Sequence, residues 1–389
     1  MTKVKRVAIF SIGASHQMSQ TTGLKRGFEA LGIEAYAGHS LLDGGAMTFF
    51  VDEYKPDLVI EINRSRNQIR ECDSAFNHVS WIWDYNLGDM MLTEGFGGSL
   101  HNFFVINPGL TGHALDAVKP WSYLLPGVDA DVFSPNHSEF ESDFSIIGYL
   151  PDPISEQDRS TPINNNGQVV CTLDDLFDAL DRSGLKQYQA DHDKLKRVVA
   201  EVFQKADDNF GVHNIPPQLI LHLEERWLRA TDRIDFLEDI LSVSKNVRFY
   251  GYGGWTQWSN FAPYYMGPVF SNSEKASIYC NTRITLHNGI GMHDRVLEAM
   301  SCGAAVMLNN SPLHDTEFGL YRYFERDIDF VQFEQEDSEN IKSVARELLE
   351  KPSLVSSIGG SARQKILSAH TWKHRAAKML EDLKSADFT

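Results

Sequence analysis

Short apolar runs that recur between helical stretches set the strongest limit on what this chain can fold into. Val7-Ala8-Ile9-Phe10 is apolar without alternation, and Asp57-Leu58-Val59-Ile60-Glu61-Ile62, Val79 to Trp83 and Phe103-Phe104-Val105-Ile106 repeat the pattern. A strand apolar at consecutive positions is covered on both faces, which implies a parallel sheet flanked by helices. One such helix is visible at once, with Leu24, Phe28 and Leu31 on a single face and Gly32 at its end. Residues 1–125 therefore read as one doubly wound domain.

Prolines and Gly127 then mark a crossing segment, 126–143, that is neither helix nor strand. Strand signals resume at Phe144 to Gly148, Val247 to Tyr250, Ile284 to His287, Ala304 to Leu308 and Phe330 to Phe333. Helices are expected at 273–280, 294–301, 338–350 and 353–384, and a polar surface loop at 151–170. Between them, Leu176, Leu180, Leu195, Val198, Val202, Leu219, Leu223, Trp227 and Leu237 keep helical spacing, a helical insertion over 173–241. The expected architecture is α/β, with two doubly wound Rossmann-like domains facing across a cleft. The second spans 144–370 and carries the insertion, and 371–389 forms a closing helix.

Charge narrows the partners. Lys and Arg total 36 and Asp and Glu 53, a net charge of −17, which opposes binding of a phosphate backbone and excludes nucleic acid as the main partner. No apolar run of about 18 residues is present, so no transmembrane segment is expected. The four cysteines, Cys72, Cys171, Cys280 and Cys302, stand far apart and read as reduced. A cytoplasmic protein is expected.

In doubly wound folds ligands bind where strands lead into helix N-termini. The richest such loop runs from Leu286 through Asn288, Gly289, Gly291, His293, Asp294 and Arg295 to Glu298. A helix starting near Asp294 offers amide groups and partial positive charge to a phosphate, and Arg295 adds a forked cation. Glu298, one turn on, suits a ribose diol. The same spacing equally makes an i, i+3 surface ion pair between Arg295 and Glu298.

Arg295-Val-Leu-Glu298-Ala-Met-Ser-Cys-Gly303 resembles the Arg-x-x-Glu-Ala-x-x-x-Gly signature of GT-B glycosyltransferases, group 1, with its closest likeness in the CgeB-like (spore-maturation-type) branch. Leu125-Pro126-Gly127-Val128-Asp129 to Phe133-Ser134-Pro135, Phe249 to Trp255, and His370-Thr371-Trp372-Lys373-His374-Arg375 resemble further family segments in the same order. The resemblance is specific over 244–384, weaker at 123–150 and topological before that. It implies transfer of a sugar from a nucleotide-diphosphate sugar, a cosubstrate rather than a cofactor, to an acceptor glycan, protein or small molecule. It further implies that Glu298 holds the ribose, that Arg295 and the helix N-terminus hold the diphosphate, and that no metal is required. Retaining relatives carry an acidic residue eight positions before the ribose glutamate; here Ile290 stands there, so Asn288, His293 and Asp294 become the candidates for the sugar hydroxyls.

Other positions admit two readings. The loop Gly251-Tyr252-Gly253-Gly254-Trp255 either approaches phosphates through its amides or forms a tight turn over a core tryptophan. Arg233 lies near the donor or on a solvated helix face. Gly267 to Phe270 resembles a segment that lines the nucleotide base. In the first domain, Asp84 is a candidate base for an inverting reaction, or an Asx turn; His16 is another base, or a helix cap. Trp81, Trp83 and Tyr85 either stack on sugars or fill the core, while Arg64 and Arg66 either grip an anionic acceptor or are solvated. A catalytically silent sugar- or partner-binding protein of the same fold is the alternative. A nicotinamide-dependent enzyme fits poorly, since Ser11-Ile12-Gly13-Ala14-Ser15-His16 has a single glycine. The sequence assigns no oligomeric state.

Overall fold

A computed structural model describes residues 4–83, 97–105, 118–136, 139–165, 167–289 and 292–385. Strands β1 (Arg6–Phe10), β2 (Glu34–Gly38), β3 (Leu58–Ile62), β4 (His78–Ile82), β5 (His101–Phe104) and β6 (Trp121–Tyr123) form an all-parallel sheet in the order β2-β1-β3-β4-β5-β6. Its core joins Val7, Ile9, Leu58, Ile60, Val79, Trp81 and Phe103 to Leu24 and Phe28 of the helix Ser15–Glu29. The central runs were legible because both faces are covered. The edge strands β2 and β6 were missed, since Glu34-Ala35-Tyr36-Ala37-Gly38 and Trp121-Ser122-Tyr123 mix polar and apolar residues.

In the second unit β7 (Ser142–Ile147) is followed by β8 (Pro162–Asn165) and β9 (Gln168–Thr172), an antiparallel pair. The expected loop at 151–170 thus holds a hairpin and a short helix, Glu156–Arg159. The signal was present, because Asn166-Gly167 between two short runs is a strong hairpin cue. Then β10 (Val247–Tyr250), β11 (Tyr265–Gly267), β12 (Thr282–His287), β13 (Ala305–Asn309) and β14 (Val331–Phe333) join β7 in a second parallel sheet, ordered β11-β10-β7-β12-β13-β14. Both units are Rossmann-like α/β layers of six strands, the fold expected from the sequence.

The helical insertion exists but ends earlier than its pattern suggests. Leu176, Phe177, Leu180, Leu195, Val199, Phe203, Leu223 and Leu228 build a core of their own. Phe236, Leu237, Ile240 and Leu241 of the helix Arg229–Val243 instead pack on the second sheet with Phe144, Ile146 and Phe249. A π-helical turn at Glu224–Leu228 marks the change between the two cores.

The helix expected at 353–384 is two, Pro352–Ala369 and Trp372–Ser385, and the second starts one residue into the closing segment expected at 371–389. No proline or glycine breaks it. Val128 donates its N–H to the His370 carbonyl (3.0 Å) and accepts from the Trp372 N–H (3.3 Å), so backbone bonds to a distant strand-like segment replace the helical ladder. By contacts, Met292–Cys302 and Arg363–Thr389 group with Met1–Pro135, and Asn136–Gly291 groups with Gly303–Ala362.

The returning helix docks through Trp372, which lies against Gly23 and Gly27 of the helix Ser15–Glu29. A Cβ at Gly27 would overlap the Trp372 carbonyl, a backbone atom with nowhere to go. Gly27→Ala is expected to lower Tm by several degrees through overpacking of about 1–3 kcal/mol, where an exposed helical glycine would gain from the same change. A thermal melt followed by circular dichroism decides between them.

Candidate functional site

The helix Asp294–Ser301 forms where the sequence placed it, and Val296, Leu297, Ala299 and Met300 fix its orientation by burial. Glu298 shares that burial at 4% exposure, so it is not half of a surface ion pair. Arg295 is half-buried beside it.

The helix start is more occupied than spacing alone implied. The Arg295 N–H meets Asp294 Oδ1 at 2.8 Å, and the Val296 N–H meets the His293 carbonyl at 3.1 Å. Gln20, from the helix Ser15–Glu29, donates Nε2 to Asp294 Oδ2 at 3.1 Å and holds the carboxylate there. His293 Nδ1 lies against Asp294 Oδ1, and Arg295 Nη2 approaches His293 Nε2 at 3.1 Å. His293 Nδ1 also accepts from the Arg295 N–H and Nε, each at 3.3 Å, so the imidazole caps the helix start and braces the guanidinium. The first-turn amides are thus partly used by the chain's own residues. The Arg295 guanidinium and the helix dipole carry most of what attracts an anion.

At the end of β12, Asn288 is buried and tied on three sides. Its Nδ2 donates to Gln335 Oε1 (2.6 Å), and its carbonyl accepts from Arg233 Nη2 (2.6 Å). The next residue, Gly289, donates its N–H to Asn309 Oδ1 (3.0 Å). Arg233 also donates to the Tyr149 carbonyl and is 6% exposed, well inside the helix Arg229–Val243. It is not solvated; it clamps two loops that end neighbouring strands. Beside it, burial pushes the Asp232 carboxyl up to about 7. Gln335 and Asn309 had no motif to announce them, because they act through a fold contact rather than a spacing.

The glycine loop after β10 takes the turn reading at two of its amides. Gly251 donates to the Gly267 carbonyl (3.0 Å) and Gly254 to the Leu150 carbonyl (2.7 Å). Gly253 has φ +103°, and Trp255 is fully buried with its indole N–H on the Gly148 carbonyl (3.2 Å). Tyr252 remains exposed, edge-on to Phe270 with ring centres 6.4 Å apart.

In the first unit, His16 is the second residue of its helix, and the cap position is Ala14 with no side-chain cap bond, so the capping reading fails. Arg64 is not a solvated or ligand-seeking loop residue: its guanidinium pairs with Glu61 through Nε (2.7 Å) and Nη2 (2.8 Å). Arg66 lies over the Phe76 ring at 4.4 Å. Trp81 is core, its indole N–H on the Leu124 carbonyl (3.1 Å) and its ring edge-on to Trp372. Asp84, Tyr85 and Gly291 lie outside the described residues.

The side chains of Asp129, His370 and His374 face protein groups. Asp129 pairs with Arg26, His370 Nδ1 with Arg375 Nη2 (2.6 Å), and His374 Nδ1 with Thr371 Oγ1 (2.8 Å). Among the described residues no three His, Cys, Asp or Glu side chains converge as a metal site, and no helix is long and apolar enough to cross a membrane.

Residues 226–381 match the family model described as glycosyl transferase-like. The matched segment contains Arg233, the glycine loop, Asn288 and the helix of Arg295 and Glu298. No curated protein sequence matches the chain. Among solved structures, a sucrose-phosphate synthase from Thermosynechococcus elongatus is similar at TM-score 0.54 and 11% identity over 98% of each chain. A glycosyltransferase from Rickettsia africae gives TM-score 0.52 and 11% identity over 100% of each chain. An alpha-glucosyltransferase, solved with UDP and a 13-mer DNA, gives TM-score 0.52 and 11% identity over 99% of this chain and 100% of that one. At that identity the likeness is one of fold, and the fold is GT-B.

Proposed function

We propose that the chain is a glycosyltransferase that uses a nucleotide-diphosphate sugar, of the CgeB-like branch. The observation that carries the reading is Glu298: a carboxylate at 4% exposure, one turn after Arg295, inside the segment that matches the glycosyl transferase-like family. In this reading Glu298 accepts two hydrogen bonds from the ribose diol, and Arg295 with the helix dipole meets the negative charge that develops on the leaving diphosphate. Because the charge is met by a fixed cation, the proposed step needs no metal. The UDP in one structural neighbour makes a uridine diphosphate the first nucleotide to try.

The test is a thermal-shift and turnover screen against UDP-, GDP-, dTDP- and CMP-sugars, with Glu298→Ala and Arg295→Ala beside the wild type. One nucleotide class should stabilise the wild type and be released slowly as free nucleotide, while each variant binds about 10–100-fold more weakly, the worth of a charge-assisted hydrogen bond. A shift without release would favour the silent binding protein; no shift at all would remove the nucleotide-sugar reading.

A further inference from the structure

The helix Ser15–Glu29 turns one stripe toward the first sheet, and that stripe changes character along its length. Leu24 and Phe28 are core. One and two turns earlier the stripe is polar: Gln17, Gln20 and Thr21, each 3% exposed or less. This end of the helix follows directly on β1, at the carboxyl end of the sheet, where doubly wound folds take their ligands. Two of the three side chains are engaged within the chain. Thr21 Oγ1 lies 2.7 Å from the Gln17 carbonyl and 2.8 Å from Ser11 Oγ, and Gln20 Nε2 donates to Asp294 Oδ2 at 3.1 Å. Gln17 Oε1, by contrast, is buried with no hydrogen-bond partner among the described residues. Gln17 is one turn from Gln20, so its side chain leaves the helix on the side that reaches Asp294.

A second unsatisfied atom lies on the same face of that sheet. Trp83 follows β4, packs on the core of Leu24 and Phe28, and meets Trp81 edge-on with ring centres 4.9 Å apart. Asn63 Oδ1 holds its backbone N–H (2.6 Å), but its indole N–H is buried with no acceptor among the described residues. β1 and β4 are two strand spacings apart, about 10 Å. An unused amide and an unused donor thus share one end of one sheet face, within one contact unit. The indole needs an oxygen. The amide needs a group that donates or, if turned over, one that accepts. A hydroxyl meets all of these demands, because it does both. A carboxylate or phosphate would also bring charge, and the cations of the loop after β3 are committed to the opposite face. Arg64 pairs there with Glu61, which alternates with the core residues Ile60 and Ile62, and Arg66 lies over the Phe76 ring, which packs with Val59.

We propose that this end of the first sheet binds an uncharged, polyhydroxylated ligand, a neutral sugar, with one hydroxyl on Gln17 and another on Trp83. In the transferase reading above, on which this role rests, that sugar is the acceptor. Gln17 then brings it to the side of the helix where Gln20 holds Asp294, next to the helix start that takes the diphosphate. Gln17→Leu keeps the bulk of the side chain and breaks none of its hydrogen bonds within the chain. Trp83→Phe keeps an aromatic face and removes only the indole donor.

The experiment titrates the wild type, Gln17→Leu and Trp83→Phe with glucose, galactose and mannose and with the three matching uronates, by ligand-detected NMR, with and without UDP. Melts establish that each variant folds. At least one neutral sugar should bind the wild type, and its uronate should bind no tighter. Each variant should hold that sugar about tenfold more weakly, the worth of one hydrogen bond. A variant that folds and keeps the wild-type affinity, a uronate that binds tenfold tighter than its neutral parent, or no neutral sugar bound in either condition overturns the proposal. The nucleotide screen above separates the two readings. Nucleotide binding without sugar binding removes this site and leaves the transferase reading standing. Sugar binding that depends on Gln17 and Trp83, with no nucleotide bound, removes the transferase reading and leaves a sugar-binding protein.

Discussion

Arg64→Met is expected to destabilise the chain by about 3–5 kcal/mol, the usual consequence of leaving one partner of a buried ion pair alone. Glu61 lies on β3 at 0% exposure, and the Arg64 guanidinium grips both of its oxygens. Arg64 Nη2 also donates to the Leu42 carbonyl (2.5 Å) and Nη1 to Asp43 (3.3 Å). His78 gives no substitute cation: burial pushes its imidazole below the ordinary range, so it stays neutral. Its Nε2 faces Glu61 Oε2 at 3.2 Å and its Nδ1 faces Ser99 Oγ at 3.0 Å, which suits a proton on Nε2. Urea unfolding should show the midpoint falling with little change in slope, and Glu61→Gln combined with Arg64→Met should recover much of the loss. An arginine that served only to hold an anionic acceptor would leave the midpoint where it was.

That pair also shows how far the sequence could be read. Strands β1, β3 and β13 were legible because a nearly continuous apolar run has few other fates, and the helix Asp294–Ser301 because its start, its apolar face and its end agree. A basic loop reads as solvated or ligand-seeking until the strand beneath it is known to bury a glutamate. Glu61 sat in plain view inside an apolar run, and a carboxylate there demands a partner; Arg64, three residues on, was the nearest cation. At the candidate site, Glu298 and Arg295 were found by motif, while Gln335, Asn309 and the clamp made by Arg233 were not. Their roles depend on β12, β13 and β14 lying side by side, a register no local spacing encodes. The edge strands and the hairpin were lost for the opposite reason, since an exposed strand has no need of an apolar run.

Asp232→Asn should separate from the wild type as pH rises. The Asp232 carboxyl is held at about 7, well above its ordinary 3.8, with burial the largest cause; the Tyr188 and Gln187 amides and Lys186 pull it down, and Asp235 pushes it up. Below about pH 4 the group is protonated in the folded and the unfolded chain, and it has no effect on stability. Between about pH 4 and 7 the unfolded chain ionises while the folded one keeps its proton, so wild-type stability falls by about 1.4 kcal/mol per pH unit. Above about pH 7 both are ionised and the penalty levels off, at up to about 4 kcal/mol. Asparagine cannot ionise, and its Oδ1 still accepts the Tyr188 N–H that Asp232 Oδ2 holds at 3.0 Å. Urea melts at pH 5, 6, 7 and 8 should therefore show the variant gaining on the wild type at each step up to pH 7 and then holding its lead. A constant difference across that range would mean that Asp232 is ionised in the fold throughout. The backbone carbonyl of the same residue accepts from Gln335 Nε2 at 2.8 Å, so the residue that titrates is also an anchor of the Asn288 network.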